Sequence, residues 1–240
     1  MTLQEKNLEA KTLIINQTDN SKVIKENNIR MMNFNEIGLS RSRNRAIENA
    51  TEEICIITDD DVNFKKGIFE KIEKIFEDYP NVDIFTFKYD KYNKNLNKKY
   101  KAEPFIHDKY SIAKVSSIEI GFRRKNIIEN NIKFDENFGL NSKYLSGEEN
   151  IFLRDALDKG LKVMYYPLVI AEHPDETSTS TWSNKKIFSK GALFYRLYGN
   201  LAYILIIGFS LKKYKEYKDN YSLFKFMELI FKGLKDYKNI

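Results

Sequence analysis

The chain is poor in several things that would have decided its class early. It has one cysteine, Cys55, so no disulfide can form within it, and a reducing cytosol is the expected compartment. Its first eleven residues, MTLQEKNLEAK, are polar and do not read as a signal peptide. Its longest apolar run, LAYILIIGFSL, has 11 residues (201–211), short of the ~20 that a spanning helix needs. There is no internal repeat, no Gly-rich phosphate loop carrying a lysine near the start, and no recognisable nucleic-acid motif. These absences argue against a P-loop-like nucleotidyltransferase and against nucleic acid as a partner.

What is present suits a folded protein. Apolar residues make up 42% of the 240 and aromatics 14%, enough to build a core despite much Lys and Asn. The formal charge of +6 is uneven: residues 211–240 hold eight lysines against four acids and so supply +4 of it. Such a basic end suits an anionic surface or substrate, or else a solvated face.

Strand and helix patterns alternate along the first half. TLIINQTDN (12–20) reads as a short buried strand into a turn, SKVIKENNIR as a turn of helix, and MMNF as another strand. SRSRNRAIENA (40–50) reads as a helix and EEICIIT (52–58) as a strand covered on both faces. FKKGIFEKIEKIFEDY (64–79) is an amphipathic helix stopped by Pro80, and VDIFTFKYD (82–90) is a strand. Further on, residues 92–104 and 133–150 read as loops, 114–124 as a strand and 148–160 as a helix. Residues 162–173 read as a strand made edge-like or irregular by Pro167. The alternation predicts an α/β fold with a mostly parallel sheet, whose ligands sit beyond the carboxyl ends of strands.

At one such end stands TDDDV (58–62). Three adjacent carboxylates repel one another unless a cation offsets them, and oxygen donors suit Mg²⁺ or Mn²⁺. A polar turn after a strand explains three acids equally well, so the cluster alone leaves both readings open.

The surrounding residues carry a resemblance. GLSRSRNRAIENATEEICIITDDDV (38–62) resembles the signature of family 2 glycosyltransferases, which have the GT-A fold: a Gly-Leu-Ser stretch, an Arg-Asn helix, then a strand ending in Asp-x-Asp. FDENFGLNSKYLSGEENIFLRDALDKGLKVMYYP resembles the acceptor-side segment of the same family, best in capsule-type sugar transferases. The resemblance implies an inverting transferase that moves a sugar from a nucleotide sugar, expected to be UDP-linked, onto a saccharide or lipid-linked saccharide in surface polysaccharide synthesis. It implies that Arg43, Asn44, Asp59 and Asp60 face the nucleotide. By the same resemblance Asp61 is expected to bind the metal, with Asp60 the alternative if the motif is shifted by one place. His173 is expected to complete the metal site and Glu149, beside Glu148, to be the catalytic base. A carboxylate at a helix start is stabilised as an anion, though both glutamates could simply cap the helix. Arg123 and Arg124 could reach phosphate or merely lie at the surface. His107 receives no role.

The family pattern also begins with a hydrophobic strand that this chain does not show before TLIINQTDN. Either the start is truncated or another segment fills the gap, and a homologue that binds without catalysing is the rival to the enzyme. If TLIINQTDN is the second strand, Asp19 is a candidate for the base-recognising acid. Residues 1–190 are then expected to form the GT-A-like domain, its nucleotide half about 1–90 and its acceptor half about 91–190. Residues 191–240 are expected to form a basic amphipathic helical segment. YSLFKFMELIFKGLKDY (221–237) sets Leu223, Phe224, Met227, Ile230, Phe231 and Leu234 on one helical face with lysines beside it. That arrangement suits an anionic membrane surface at the inner face of the cell membrane, or packing on the rest of the protein.

Overall fold

The computed structural model describes residues 10–19, 22–93, 98–174 and 182–240. Most of the PDETSTST stretch that follows His173 lies outside the described residues. The chain divides into two compact units. The first comprises residues 1–37, 41–133 and 155–175, and the second residues 38–40, 134–154 and 176–240. Compactness thus groups residues 134–154 with the C-terminal helices, where the sequence reading drew its boundary at 190.

The first unit holds two sheets. Strands β1 (Thr12–Gln17), β2 (Val23–Glu26) and β3 (Ile29–Phe34) form one, in the order β1-β3-β2. The helix turn expected in SKVIKENNIR is instead an antiparallel β2–β3 hairpin. Asn27, with φ of 49°, supplies the left-handed backbone that a two-residue hairpin turn requires, and Asn tolerates it better than most residues.

The second sheet contains β4 (Ile54–Ile56), β5 (Asn63–Phe64), β6 (Ile84–Lys91), β7 (Phe105–Ile106), β8 (Ile120–Arg123) and β9 (Val163–His173). Its order is β4-β8-β6-β9-β5, with β7 also on β9. The expectation of a mostly parallel sheet is corrected here. Among the described strands β1–β3 and β6–β9 pair in parallel, while β2–β3, β4–β8, β6–β8, β5–β9 and β7–β9 are antiparallel. The strand expected over 114–124 shrinks to the four residues of β8, because Ser116 and Glu119 form a capping box that starts a tight 3-10 turn at Ser117. The β6–β9 register breaks between Thr86 and Lys88, opposite Pro167, which has no N–H for the ladder. The irregularity was legible. The edge position was not, for β9 is flanked on both sides.

Helices α1 (Leu39–Asn49), α2 (Ile68–Asp78) and α3 (Arg124–Glu129) accompany these strands. The predicted face of α2 is the buried one: Ile68, Ile72, Ile75 and Phe76 pack with Phe85, Phe87 and Ile170. Phe76 meets Phe85 edge-on at 4.8 Å. Each such side chain contributes roughly 1.5–3 kcal/mol when taken out of water.

β1 and β4 each end their sheet, so neither has a partner on its outer side among the described residues. The strands read from sequence as fully covered are accordingly only half-buried. An ion pair of 2.9 Å between Lys11 and Glu52 joins the residues that precede the two strands.

The second unit is mostly helical. It contains the start of α4 (Glu148–Asp158), then α5 (Asn184–Tyr198), α6 (Ala202–Tyr217) and α7 (Leu223–Lys238). α5 and α7 touch backbone to backbone: a Cβ added at Gly191 would lie 1.7 Å from the Ile230 carbonyl oxygen, and one at Gly233 1.8 Å from that of Phe188. Only glycine permits this approach. It seats Ile230, Leu234 and Phe226 in a core with Ile187, Ala202, Ile206 and Tyr217. The apolar face of α7 thus packs on neighbouring helices, and the lipid-facing role expected for it is corrected, with Phe224 alone of that set strongly exposed.

His107, given no role by the sequence, is a buried fold residue. Its Nε2 lies 2.8 Å from Thr86 Oγ1 and its Nδ1 3.0 Å from Ser111 Oγ. Burial pushes the imidazole pKa down from 6.5 to about 4. The unfolded chain therefore takes up this proton first as pH falls. The contribution of His107 is complete above pH ~6.5 and is lost on the way down to about 4, an effect of roughly 3 kcal/mol. Urea unfolding of the wild type is expected to show that loss between these pH values, and the His107→Asn variant to lack it.

Candidate active site

In the first unit the acidic cluster is built by a strand that ends and a strand that begins. β4 stops at Ile56, Ile57 N–H still donates to Ile120 at 3.0 Å, and Thr58–Asp61 leave the sheet. Two residues later β5 pairs antiparallel with β9, setting Asn63 against Glu172 and Phe64 against Ala171. That pairing delivers Asp61 to His173, the last residue of β9.

The contact between them is chemically informative. His173 Nδ1 lies 2.8 Å from the Pro174 carbonyl oxygen, which can only accept, so Nδ1 carries a hydrogen. In the neutral ring Nε2 then holds the lone pair. Nε2 lies 3.3 Å from Asp61 Oδ1, an oxygen buried without a hydrogen-bond partner. A lone-pair nitrogen facing a carboxylate oxygen is unfavourable unless a proton or a cation sits with them. The pair therefore fits a divalent ion that accepts imidazole and carboxylate together, with a carbonyl holding the second ring nitrogen as such ligands require. Among the described residues no three His, Cys, Asp or Glu side chains converge as a complete metal site. The ring of Tyr89 packs edge-on against His173 with centroids 5.9 Å apart and fixes its plane.

Asp59 and Asp60 are placed differently. Asp59 Oδ1 accepts from Arg43 at 3.1 Å, and Arg43 is buried in α1. The Arg-Asn pair of the signature thus lies inside the fold, with Asn44 buried beside Arg43. Arg43 anchors the acidic loop. Asp60 is exposed, at the tip of the turn. Asp19, just beyond β1, is exposed and makes no hydrogen bond or ion pair among the described residues. Arg123 and Arg124 are not phosphate ligands waiting at a surface. Arg123 donates to the Phe76 carbonyl in the last turn of α2 and to the Val82 carbonyl just before β6, and Arg124 to the Ile47 and Glu48 carbonyls at the end of α1. Both satisfy carbonyls left over at helix ends.

In the second unit the two glutamates of the SGEEN segment open α4 and diverge. Glu148 is buried, with Oε2 an oxygen without a hydrogen-bond partner, and its carboxyl lies beside Gly139 and Ser40. Glu149 is half-exposed. The loop before them is tied to the C-terminal helices: Tyr144 donates to Asp236 at 2.6 Å, Leu145 N–H to Ser189 at 2.9 Å, and Arg196 pairs with Asp135 at 3.4 Å. Sequence reasoning missed Lys190 on α5. Desolvation lowers its pKa, and the charges of Glu149 and Glu148 oppose that fall. A single lysine on α5 carried no signal by itself, because only folding sets it near the glutamates.

The sequence profile of glycosyl transferase family 2 matches residues 16–161, more than half of the chain. The chain belongs to glycosyl transferase family 2. Among curated proteins none matches it significantly. Solved structures agree on the architecture of this family 2 chain. The crystal structure of S. aureus TarS 1–349 in complex with UDP-GlcNAc aligns with a TM-score of 0.63 at 15% identity, covering 88% of this chain and 64% of that one. TarS 1–349 in complex with UDP aligns at 0.53 and 13% identity, covering 82% and 59%. This family 2 chain therefore spans less than two thirds of the length of those structures, and at such identity the likeness shows the GT-A-like fold alone.

Arg43→Ala is expected to lower stability by about 1.5 kcal/mol, the lower end of the range for a hydrogen bond to a charged group, since Asp59 is half-exposed. It is also expected to lower nucleotide affinity by releasing Asp59. Arg124→Ala should lower stability without touching nucleotide affinity. Chemical denaturation and calorimetric titration of both variants check the contrast.

Proposed function

We propose that this chain is an inverting, metal-dependent glycosyltransferase. It moves a sugar from a UDP-sugar to a saccharide or lipid-linked saccharide, in the synthesis of a bacterial surface polysaccharide on the cytoplasmic side of the membrane. The observation that carries the reading is the meeting of Asp61 Oδ1 and His173 Nε2 at 3.3 Å, with the other ring nitrogen held by a carbonyl. Family membership supports the reaction class, and the UDP-GlcNAc and UDP complexes of TarS support the nucleotide.

Asp61 and His173 hold Mn²⁺ or Mg²⁺, with Asp60 near enough in sequence to share the ion. The ion supplies positive charge for a departing diphosphate. Asp59, kept in place by Arg43, accepts hydrogen bonds from the nucleotide's ribose, and Asn44 helps hold the helix that carries Arg43. Asp19 lies at the end of the neighbouring sheet as the candidate for recognising the base. Glu149 takes the proton from the acceptor hydroxyl as that oxygen attacks the anomeric carbon from the face opposite the leaving group, and the configuration inverts. Glu148, buried at the start of the same helix, keeps Glu149 in position. Lys190 sets the charge around both.

One observation favours a second reading, a homologue that binds without catalysing: among the described residues nothing pairs with the outer edges of β1 and β4. Calorimetry separates the two. UDP is expected to bind the wild type only with Mn²⁺, and Asp61→Ala to weaken binding roughly 100-fold or more, since even outer-shell changes cost 10- to 100-fold. A wild type that ignores UDP favours the second reading. Glu149→Gln is expected to keep UDP affinity while transfer falls about 10²- to 10⁴-fold. Unchanged turnover takes the base role from Glu149.

A further inference from the structure

We infer that the outward face of α6 is a docking surface for an anionic lipid bilayer, separate from the transfer chemistry. The rotation of α6 is fixed by its inner face. Ala202, Ile206, Ser210 and Tyr217 are buried, Ser210 Oγ donates to the Ile206 carbonyl at 2.8 Å, and Tyr217 Oη donates to the Ser210 carbonyl at 2.7 Å. The opposite side must then face outward. It carries Ile204, Ile207 and Leu211, exposed by 69%, 45% and 58%, and Leu201, just before the helix and exposed by 40%, continues it. Single exposed aliphatics are ordinary, but these recur every three or four residues and so form one continuous stripe.

The stripe runs into Lys212, Lys215 and Lys218, all exposed. Among the described residues these three form no ion pair, whereas Lys213 is paired with Glu216 and Lys225 with Glu228. An aliphatic stripe continued by unneutralised lysines complements the acyl boundary and phosphate layer of an anionic bilayer. A second copy of the chain fits worse. Face to face, it would set lysines against lysines or against aliphatic turns. Residues 184–217 are long and apolar enough to cross a membrane by length and composition. Their inner faces, however, are packed in the helical core, with Gly191 on the α7 backbone. The docking is therefore peripheral.

The test is co-sedimentation of the full chain with phosphatidylcholine vesicles containing or lacking ~30% phosphatidylglycerol. Binding is expected only to the anionic vesicles and should be released by high salt. Changing Lys212, Lys215 and Lys218 together to Gln should weaken it about 100-fold. Ile204→Asp with Leu211→Asp should abolish it while the melting temperature holds, since both positions are exposed. Equal binding to neutral vesicles, no loss in either variant, or retention after alkaline carbonate extraction overturns the proposal; the last of these indicates insertion. So does a dimer in ultracentrifugation that the Asp pair disperses without any vesicle binding.

Discussion

A carboxylate oxygen of Asp61 and the Nε2 of His173 are held 3.3 Å apart at the edge of a sheet. Nothing in local sequence requires this. Asp61 belongs to a loop after β4, and His173 stands 112 positions later at the end of β9. Their meeting depends on the two-residue strand β5, which turns the acidic loop back onto β9. The remaining features of the site support that meeting. A carbonyl holds one imidazole nitrogen, the ring of Tyr89 packs edge-on against it, and Arg43 ties Asp59 to α1.

The second unit shows the same division between reactive and supporting groups. Of two adjacent glutamates at a helix start, one is buried and one half-exposed, because successive helix residues are about 100° apart around the axis. The C-terminal helices are part of this arrangement. They hold the loop before α4 through Tyr144, Leu145 and Asp135, and they bring Lys190 to the glutamates. A segment that composition marks as a basic appendage thus supports the start of α4. Its remaining outward face, on α6, is available for something else.

Much of this was legible in the residues. The period of the α2 stripe named its buried face, the strand before TDDDV was correctly placed, and the Arg-Asn and Gly-Glu-Glu segments pointed to the family. What misled was local. In SKVIKENNIR, Lys and Glu favour helix by propensity, yet Asn27 closes a hairpin whose partner strand decides the matter. In 221–237 an amphipathic stripe with lysines beside it reads alike for a lipid surface and for a protein core. The close approach at Gly191 and Gly233 makes it core. Arg123 and Arg124, open to a phosphate role by charge, are consumed by helix-end carbonyls that no sequence pattern displays.

The sequence by itself determined the family, the alternation of strand and helix, and the identity of the acids and the histidine, because these follow from short-range spacing and residue chemistry. Tertiary structure alone decided which acid meets the histidine, which arginine is anchored, which glutamate faces outward and which helix shows its aliphatic side. Those outcomes depend on pairing between strands and helices far apart in the chain, where register and burial, rather than residue type, select the partner.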